Sequence, residues 1–289
     1  MSMNRRDFVS ATLKAAALGA TWFEAPKILS AAGLRDDSSK QFGGFPMGLQ
    51  TYSLRAFSFD DAAAKVEELG LHWVELFRAH YAPTTDPKIV AAMNAKLVKH
   101  KLRISAHGVQ AFTANHEANE EFFKFAKAAG FRNISADPTP DSFDSLDKLV
   151  AKYDIRIAIH NHGPGARYDS AEQTKKAVQG HDKRIGFCAD LGHFIRSGED
   201  AVKVVHLLGD RLYGIHLKDF AEPKKDAKGV ILGKGHLDVV GVFQALKKVN
   251  FPADGALSLE YEENEKNPMD DIKECLHIAA EGAMKAARS

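Results

Sequence analysis

Four apolar segments of this chain each end on a side chain that can bind a metal ion. They are Ile-Ala-Ile-His160, Gly-Phe-Cys-Ala-Asp190, Tyr-Gly-Ile-His216 and Leu-Ser-Leu-Glu260. Imidazole and carboxylate groups are costly to bury unless they are paired or coordinated, so packing gives little reason to place them there. Two imidazoles and two carboxylates together form a nitrogen and oxygen donor set suited to a divalent ion. The pattern therefore predicts one metal site held by His160, Asp190, His216 and Glu260.

Short apolar runs alternate with longer amphipathic stretches from Phe45 to the end of the chain. The runs are continuously apolar, as expected of strands that are covered on both faces. The predicted strands are Met47 to Ser53, Trp73 to Phe77, Arg103 to Val109, Asn133 to Ala136, Ile155 to His160, Ile185 to Asp190, Leu212 to Leu217 and Ala256 to Tyr261. The predicted helices are Asp60 to Leu69, Pro87 to His100, Glu117 to Ala129, Phe143 to Tyr153, Ser170 to Gln179, Asp200 to Leu208, Val239 to Val249 and Met269 to Ala287.

Eight strand–helix units of this length predict a single α/β domain, a closed (β/α)8 TIM barrel of roughly 250 residues. The alternative is an open doubly wound sheet. No glycine-rich nucleotide fingerprint follows the first strand, where Gln50-Thr51-Tyr52-Ser53 stands instead, so the barrel is favoured. The carboxyl ends of barrel strands meet at one face, which is where the four metal-binding side chains would assemble.

The first 33 residues differ from the rest of the chain. An Arg5-Arg6 pair is followed by the alanine-rich stretch Ala11–Ala20 and by small residues at Ser30–Ala32. This order resembles a twin-arginine export signal that is cleaved near Ala32 or Gly33. The alternative is a basic amphipathic helix that stays on the protein.

An export signal would make this a periplasmic or exported bacterial protein with a polar linker over residues 34–44 and the barrel over residues 45–289. The apolar stretch is short and is followed by Glu24 and Lys27, so we expect no stable insertion into a membrane. The net charge of +1 provides no strong field for nucleic acid. The two cysteines, Cys188 and Cys275, are too few for a disulfide framework and are expected to be small core residues.

Several motifs resemble those of the xylose isomerase-like TIM barrels, the sugar phosphate isomerase/epimerase superfamily. They are Asp190-Leu191-Gly192-His193, His216-Leu217-Lys218-Asp219, Gly233-Lys234-Gly235 and Ser258-Leu259-Glu260-Tyr261, and the resemblance extends from Gly48 to about Ala280. The resemblance implies that Asp190, His216 and Glu260 bind one divalent metal with a fourth residue from the fifth strand. That residue is usually Glu in the family, but here it is His160. Imidazole favours Mn²⁺, Co²⁺ or Zn²⁺ over Mg²⁺, so one of the first three is the predicted cofactor.

The resemblance also implies chemistry next to a carbonyl group. Removing the proton there creates an enediolate, whose charge a divalent cation stabilises. Glu260 is the first candidate for the base, with His160 and His162 as acid–base partners, although His162 alternatively caps the turn that follows it. His193 and Lys218 are expected to hold substrate oxygens. Glu75 and His107 are expected to line the opposite wall, with a barrel-mouth ion pair and a core histidine as the respective alternatives.

The predicted function is that of a divalent-metal-dependent sugar isomerase or epimerase. The change of Glu to His160 removes one of two metal-bound carboxylates that exchange protons in the family's ketose 3-epimerases. The alternative is therefore a lyase or hydratase that acts on 3-keto-glycosides or related keto-sugars by β-elimination. A multi-zinc apurinic endonuclease is disfavoured because Asn133 to Asp137 lacks the expected strand-four histidine. A non-catalytic sugar-binding barrel is disfavoured by the complete ligand set. The expected partner is a small carbohydrate, and a homo-oligomer is left open.

Overall fold

Eight parallel strands pair side by side and close into a barrel, in which the first strand contacts both the second and the last. The structure, a computed structural model, describes residues 37–289. In chain order the barrel strands are Met47–Gln50, Trp73–Leu76, Arg103–Phe112, Asn133–Pro138, Arg156–His160, Ile185–Asp190, Leu212–Leu217 and Ala256–Leu259. The predicted (β/α)8 barrel is confirmed. The predicted export signal at residues 1–33 lies outside the described residues, and it stays a prediction together with the localisation.

Helices follow the barrel strands and cover the outside of the barrel. They are Phe59–Glu68, Pro87–Lys99, His116–Ala129, Phe143–Tyr153, Ala171–Ala177, Leu191–Arg196, Ala201–Leu208, Val239–Lys248 and Met269–Arg288. Side-chain caps start several of them: Ser58 accepts a hydrogen bond from the Asp61 N–H, and Ser170 accepts one from the Gln173 N–H. No helix within residues 37–289 is long and apolar enough to cross a membrane.

Three local features were not expected from the sequence. The six-residue helix Leu191–Arg196 starts directly after the sixth strand and uses Asp190 as its N-cap. The short strands Asp219–Phe220 and Gly229–Val230 form an antiparallel ribbon above the seventh strand. Within the segment predicted as a linker, Asp37–Phe42 forms a 3-10 helix, and Phe42 is buried in the hydrophobic core.

One layer of side chains inside the barrel is polar. It consists of Glu75, Ser135, Cys188 and Ser258, which come from the second, fourth, sixth and eighth strands and are at most 1% exposed. Alternate strands usually fill such a layer with Val, Ile or Leu. Here the hydroxyl groups of Ser135 and Ser258 both donate hydrogen bonds to the Glu75 carboxylate. We call these four residues the polar layer, and its centre is one buried carboxylate.

Candidate metal centre at the carboxyl ends of the strands

Four donor atoms converge above the polar layer, one from each of the last four strands or from the residue that follows. They belong to His160, Asp190, His216 and Glu260, all buried, and they lie within 4.8 Å of one another. His216 Nδ1 is 3.1 Å from both His160 Nε2 and Glu260 Oε2. Asp190 Oδ2 is 3.6 Å from His160 Nε2 and 3.8 Å from His216 Nδ1.

These separations fit a single divalent ion. Donor atoms that share one cation through bonds of about 2.1 Å are about 3.0 to 3.4 Å apart, so the observed spacing needs little contraction. Asp190 Oδ2 is a buried oxygen that accepts no hydrogen bond of good geometry, and the Lys218 ammonium 2.9 Å away partly offsets its charge. A carboxylate oxygen has room for a further partner, which a cation in the centre of the cluster would supply. The donor set predicted from the sequence is therefore assembled as a candidate metal centre.

The backbone around Asp190 fixes the direction of its carboxylate. Its Oδ1 accepts the His193 N–H at 2.8 Å, which is the cap of the short helix. Asn161 exchanges two hydrogen bonds with the Asp190 backbone, at 2.8 and 3.0 Å. Oδ1 is therefore held by the helix, and Oδ2 is left to face the cluster. Asn161 was not assigned a role from the sequence, although it directly follows His160.

Lys218 brings a positive charge into the same cluster. Its ammonium Nζ lies 2.9 Å from Asp190 Oδ2 and 2.6 Å from Glu260 Oε2, and it also pairs with Glu262. Burial alone would lower the pKa of Lys218, but the three carboxylates raise this pKa well above its usual value. Lys218 is therefore an ammonium group shared by the carboxylates of Asp190 and Glu260.

The two carboxylates of the cluster have the charge that metal binding requires, whereas His216 does not. Burial alone would raise the pKa of Asp190, but His193, Lys218 and His160 lower it well below its usual value. Burial alone would also raise the pKa of Glu260, but Lys218 and His216 lower it below its usual value. Burial alone would lower the pKa of His216, but Cys188 and the carboxylates of Glu75 and Glu260 raise it well above its usual value. The carboxylates are thus ionised at neutral pH, whereas His216 must lose a proton when a cation binds.

His162 and His193 flank the cluster on its solvent side. The ring centroid of His162 is 4.7 Å from that of His160 and 5.8 Å from that of His193. Burial, followed by the neighbouring His160, lowers the pKa of His162 to about 4. Burial also lowers the pKa of His193 to about 3, with Lys218 contributing and Asp190 opposing. Both rings are neutral at neutral pH, so either ring can donate a hydrogen bond to a substrate or accept one from it.

Glu75 and His107 lie away from the open mouth of the cluster. The fully buried Glu75 is beneath His216, with its Oε2 3.0 Å from His216 Nε2. His107 is packed among aromatic rings, and its Nε2 donates a hydrogen bond to the Tyr81 carbonyl oxygen at 2.8 Å. Burial lowers the pKa of His107 to about 4. Substrate contact by these two residues stays a prediction, and the contacts of His107 correspond to the core-histidine alternative.

A second group of potential ligands, Glu75, Cys188 and His216, lies on the lower side of the His216 ring. Both oxygens of Glu75 are already used by hydroxyl or imidazole groups. These hydrogen bonds distinguish the group from the upper cluster, where Asp190 Oδ2 accepts no hydrogen bond of good geometry and is held by the charge of Lys218.

Asp219 has a structural role that the sequence did not reveal. Its carboxylate accepts hydrogen bonds from the backbone N–H groups of Gly233, Gly235, His236 and Leu237, at 2.9 to 3.0 Å. These contacts fix the long loop after the seventh strand. A Cβ atom at Gly235 would lie 2.2 Å from the Phe220 carbonyl oxygen, so glycine is required there. Asp137, near the end of the fourth strand, pairs with Arg167.

The fold and the site together define a (β/α)8 barrel with a candidate metal centre at the carboxyl ends of its last four strands. Residues 139–279 match the family model of the xylose isomerase-like TIM barrel. The match confirms the resemblance over these residues, and sugar isomerase-like and epimerase-like proteins are among the structural neighbours that share the fold.

Individual relatives include both dehydratases and epimerases. Inosose dehydratase of Lactiplantibacillus plantarum is 26% identical over 139 residues, which are 43% of this chain and 46% of that protein. The match thus spans about half the length of that relative. An uncharacterized protein from Parabacteroides distasonis is 28% identical, with a TM-score of 0.63 over 81% of this chain and 97% of that one. The 3-keto-D-glucoside 4-epimerase from E. coli is 14% identical, with a TM-score of 0.64 over 81% of this chain and 98% of that one, and it shares the fold alone.

Proposed function

We propose that the protein is a divalent-metal-dependent enzyme that removes the proton next to the carbonyl group of a sugar ketone or a cyclic keto-polyol. The observation that carries this proposal is the convergence of two histidines and two carboxylates with an ammonium group, in which Asp190 Oδ2 faces the other donor atoms and is paired with Lys218. The residues that would hold the ion are His160, Asp190, His216 and Glu260. The ion would supply charge stabilisation for the oxygens of the enediolate.

Glu260 is the base in this proposal. Its Oε2 is used by His216 and Lys218, which leaves Oε1 for the proton transfer. The lowered pKa keeps the carboxylate ionised at neutral pH, so it can accept a proton without first losing one. The Lys218 ammonium is placed to hold the substrate carbonyl or a neighbouring hydroxyl oxygen. His193 lies beside Asp190 and gives a second, neutral contact for a substrate oxygen.

Two fates of the enediolate are compatible with this arrangement. Return of the proton to carbon gives an isomerase or epimerase, and loss of a β-substituent gives a dehydratase or lyase. In the first case His160 or His162 is the partner that returns a proton to carbon, and in the second case it supplies the proton that the leaving group takes.

Elimination is favoured by two observations. The fifth strand supplies an imidazole instead of the second carboxylate, and the sequence is similar to inosose dehydratase. We therefore favour elimination from the enediolate, which would dehydrate a keto-polyol or release the substituent of a 3-keto-glycoside. Epimerisation is the second candidate, and unphosphorylated substrates are expected for both because the sequence offers no clear phosphate-binding cluster.

The test is a proton NMR screen in D2O with Mn²⁺, Co²⁺ or Zn²⁺ added. Ketoses, inososes and 3-keto-glycosides are incubated with the protein, and both deuterium incorporation and product are recorded. We expect deuterium at the carbon next to the carbonyl group, accompanied by loss of water or of the aglycone. Glu260→Gln should abolish the exchange, whereas the matched variant Glu262→Gln, which alters a carboxylate outside the ligand set that also contacts Lys218, should retain most of it. Exchange that survives Glu260→Gln would refute the assignment of the base.

A further inference from the structure

Glu75 is a carboxylate buried at the centre of the barrel, beneath the candidate metal centre. Two of its contacts come from the polar layer, where Ser135 donates to Oε1 and Ser258 donates to Oε2 at 2.9 Å. The charged partner is His216, whose Nε2 is 3.0 Å from Oε2. The barrel thus places a carboxyl group with three polar partners where it usually places aliphatic side chains.

The His216 ring connects this carboxylate with the upper cluster. Its Nε2 faces Glu75, and its Nδ1 faces His160 Nε2 and Glu260 Oε2, both at 3.1 Å. A neutral imidazole carries one proton, and a hydrogen bond at one nitrogen determines which nitrogen holds it. If Nε2–H donates to Glu75, Nδ1 is left with a lone pair that points into the cluster. If the His216 ring were rotated by 180° about its Cβ–Cγ bond, carbon atoms would replace Nδ1 and Nε2. The contacts with Glu75, His160 and Glu260 would then be lost.

We propose that Glu75 is a positioning residue, which fixes the tautomer and the orientation of His216 so that Nδ1 is the metal-binding atom, and that Ser135 and Ser258 hold Glu75 in place for this purpose. This inference rests on the proposed metal centre but not on the identity of the substrate. It also assigns the group of Glu75, Cys188 and His216 to a hydrogen-bond network and not to a second ion.

The direct test is metal titration of the full chain without substrate. Co²⁺ is added to metal-depleted wild type, to Glu75→Gln and to Ser258→Ala, and affinity, stoichiometry and the visible absorption spectrum are measured. Loss of such an outer partner weakens metal binding by about 10- to 100-fold, which is the effect expected for Glu75→Gln. The Co²⁺ spectrum of this variant should also change, because an amide oxygen is a weaker acceptor than a carboxylate and holds the ring less firmly. Ser258→Ala keeps the carboxylate and its contact with His216, so its affinity should fall less than that of Glu75→Gln.

A second measurement requires no variant. Long-range ¹H–¹⁵N correlation spectra of the Zn²⁺-loaded wild type report which His216 nitrogen carries the proton, and we expect the proton on Nε2. A proton on Nδ1, or wild-type affinity and spectrum in Glu75→Gln, would overturn the assignment of Glu75 and leave the deuterium-exchange test of function unaffected. If wild type binds two equivalents of Co²⁺ and Glu75→Gln binds only one, the assignment would also be overturned, because Glu75 would then be a metal ligand itself.

Discussion

The carboxylate of Asp219 provides a prediction whose magnitude follows from counted hydrogen bonds. It accepts four backbone N–H groups, two on each oxygen. The change Asp219→Asn leaves one acceptor oxygen, so in either orientation of the amide two N–H groups face an NH2 group. Hydrogen bonds to a charged group contribute about 1.5 to 3 kcal/mol each, so losing two destabilises the loop by about 3 to 6 kcal/mol.

The expected result is local opening of the loop while the barrel stays folded. A loss of this size increases the open population by about 10²- to 10⁴-fold, and the backbone amides of residues 233–237 should exchange with solvent correspondingly faster. Because Phe220 in the ribbon stacks on His193, with ring centroids 6.1 Å apart, we also expect a lower kcat. Metal affinity should change by only a few-fold, since Asp219 is not a ligand in this account.

Hydrogen exchange measured by mass spectrometry on wild type, Asp219→Asn and Asp226→Asn tests this reasoning. Asp226 lies on the same loop and is exposed, so its variant is the matched control. Unchanged exchange at residues 233–237 in Asp219→Asn, or equally fast exchange in the control, would refute the claim that this carboxylate fixes the loop.

The remaining predictions concern the cluster and the buried histidine. Asp190→Ala and His216→Ala should each remove bound metal and activity, and full metal content in both by elemental analysis would place the ion elsewhere. The pKa of His107 is about 4 when folded against 6.5 otherwise, so folding stability should fall as pH decreases from 6.5 towards 4, by about 3 kcal/mol. His107→Phe should flatten that part of the pH profile in urea denaturation, and an unchanged slope would contradict the burial argument. His160→Glu restores the carboxylate that is usual in the family. Deuterium exchange should become faster if the enzyme is an epimerase, and elimination should be lost if the enzyme is a lyase that needs the imidazole. Equal rates in wild type and variant for every substrate would show that position 160 has no catalytic role.

The sequence was sufficient for the barrel and for the cluster of candidate ligands because both depend on local pattern. Continuous apolar runs mark strands covered on both faces, and a polar residue at the end of a strand stands out against them. His160 and Asp190 end their strands as predicted, and Glu260 directly follows the last one. The short helix Leu191–Arg196 was missed because six residues are too few to show a helical period.

Contacts between distant residues could not be read from the sequence. A residue near the end of an apolar strand can point up to the mouth or down into the barrel, and the absence of alternation hides which one occurs. Glu75 was therefore expected to line the wall of the substrate site, and the structure places its carboxylate beneath His216. The bonds from Asp219 to its loop join residues 14 to 18 positions apart, and no local signal marks them. Likewise, nothing local shows that Lys218 shares both ligand carboxylates.

The most direct measurement of the central claim is the rate of substrate deuterium exchange in metal-depleted protein as Mn²⁺ is added back. The account predicts no exchange without metal and a rise that levels off at one equivalent per chain, with no rise in Asp190→Ala. Full exchange in the metal-free wild type, or a plateau reached only at two equivalents, would contradict a single catalytic ion held by His160, Asp190, His216 and Glu260.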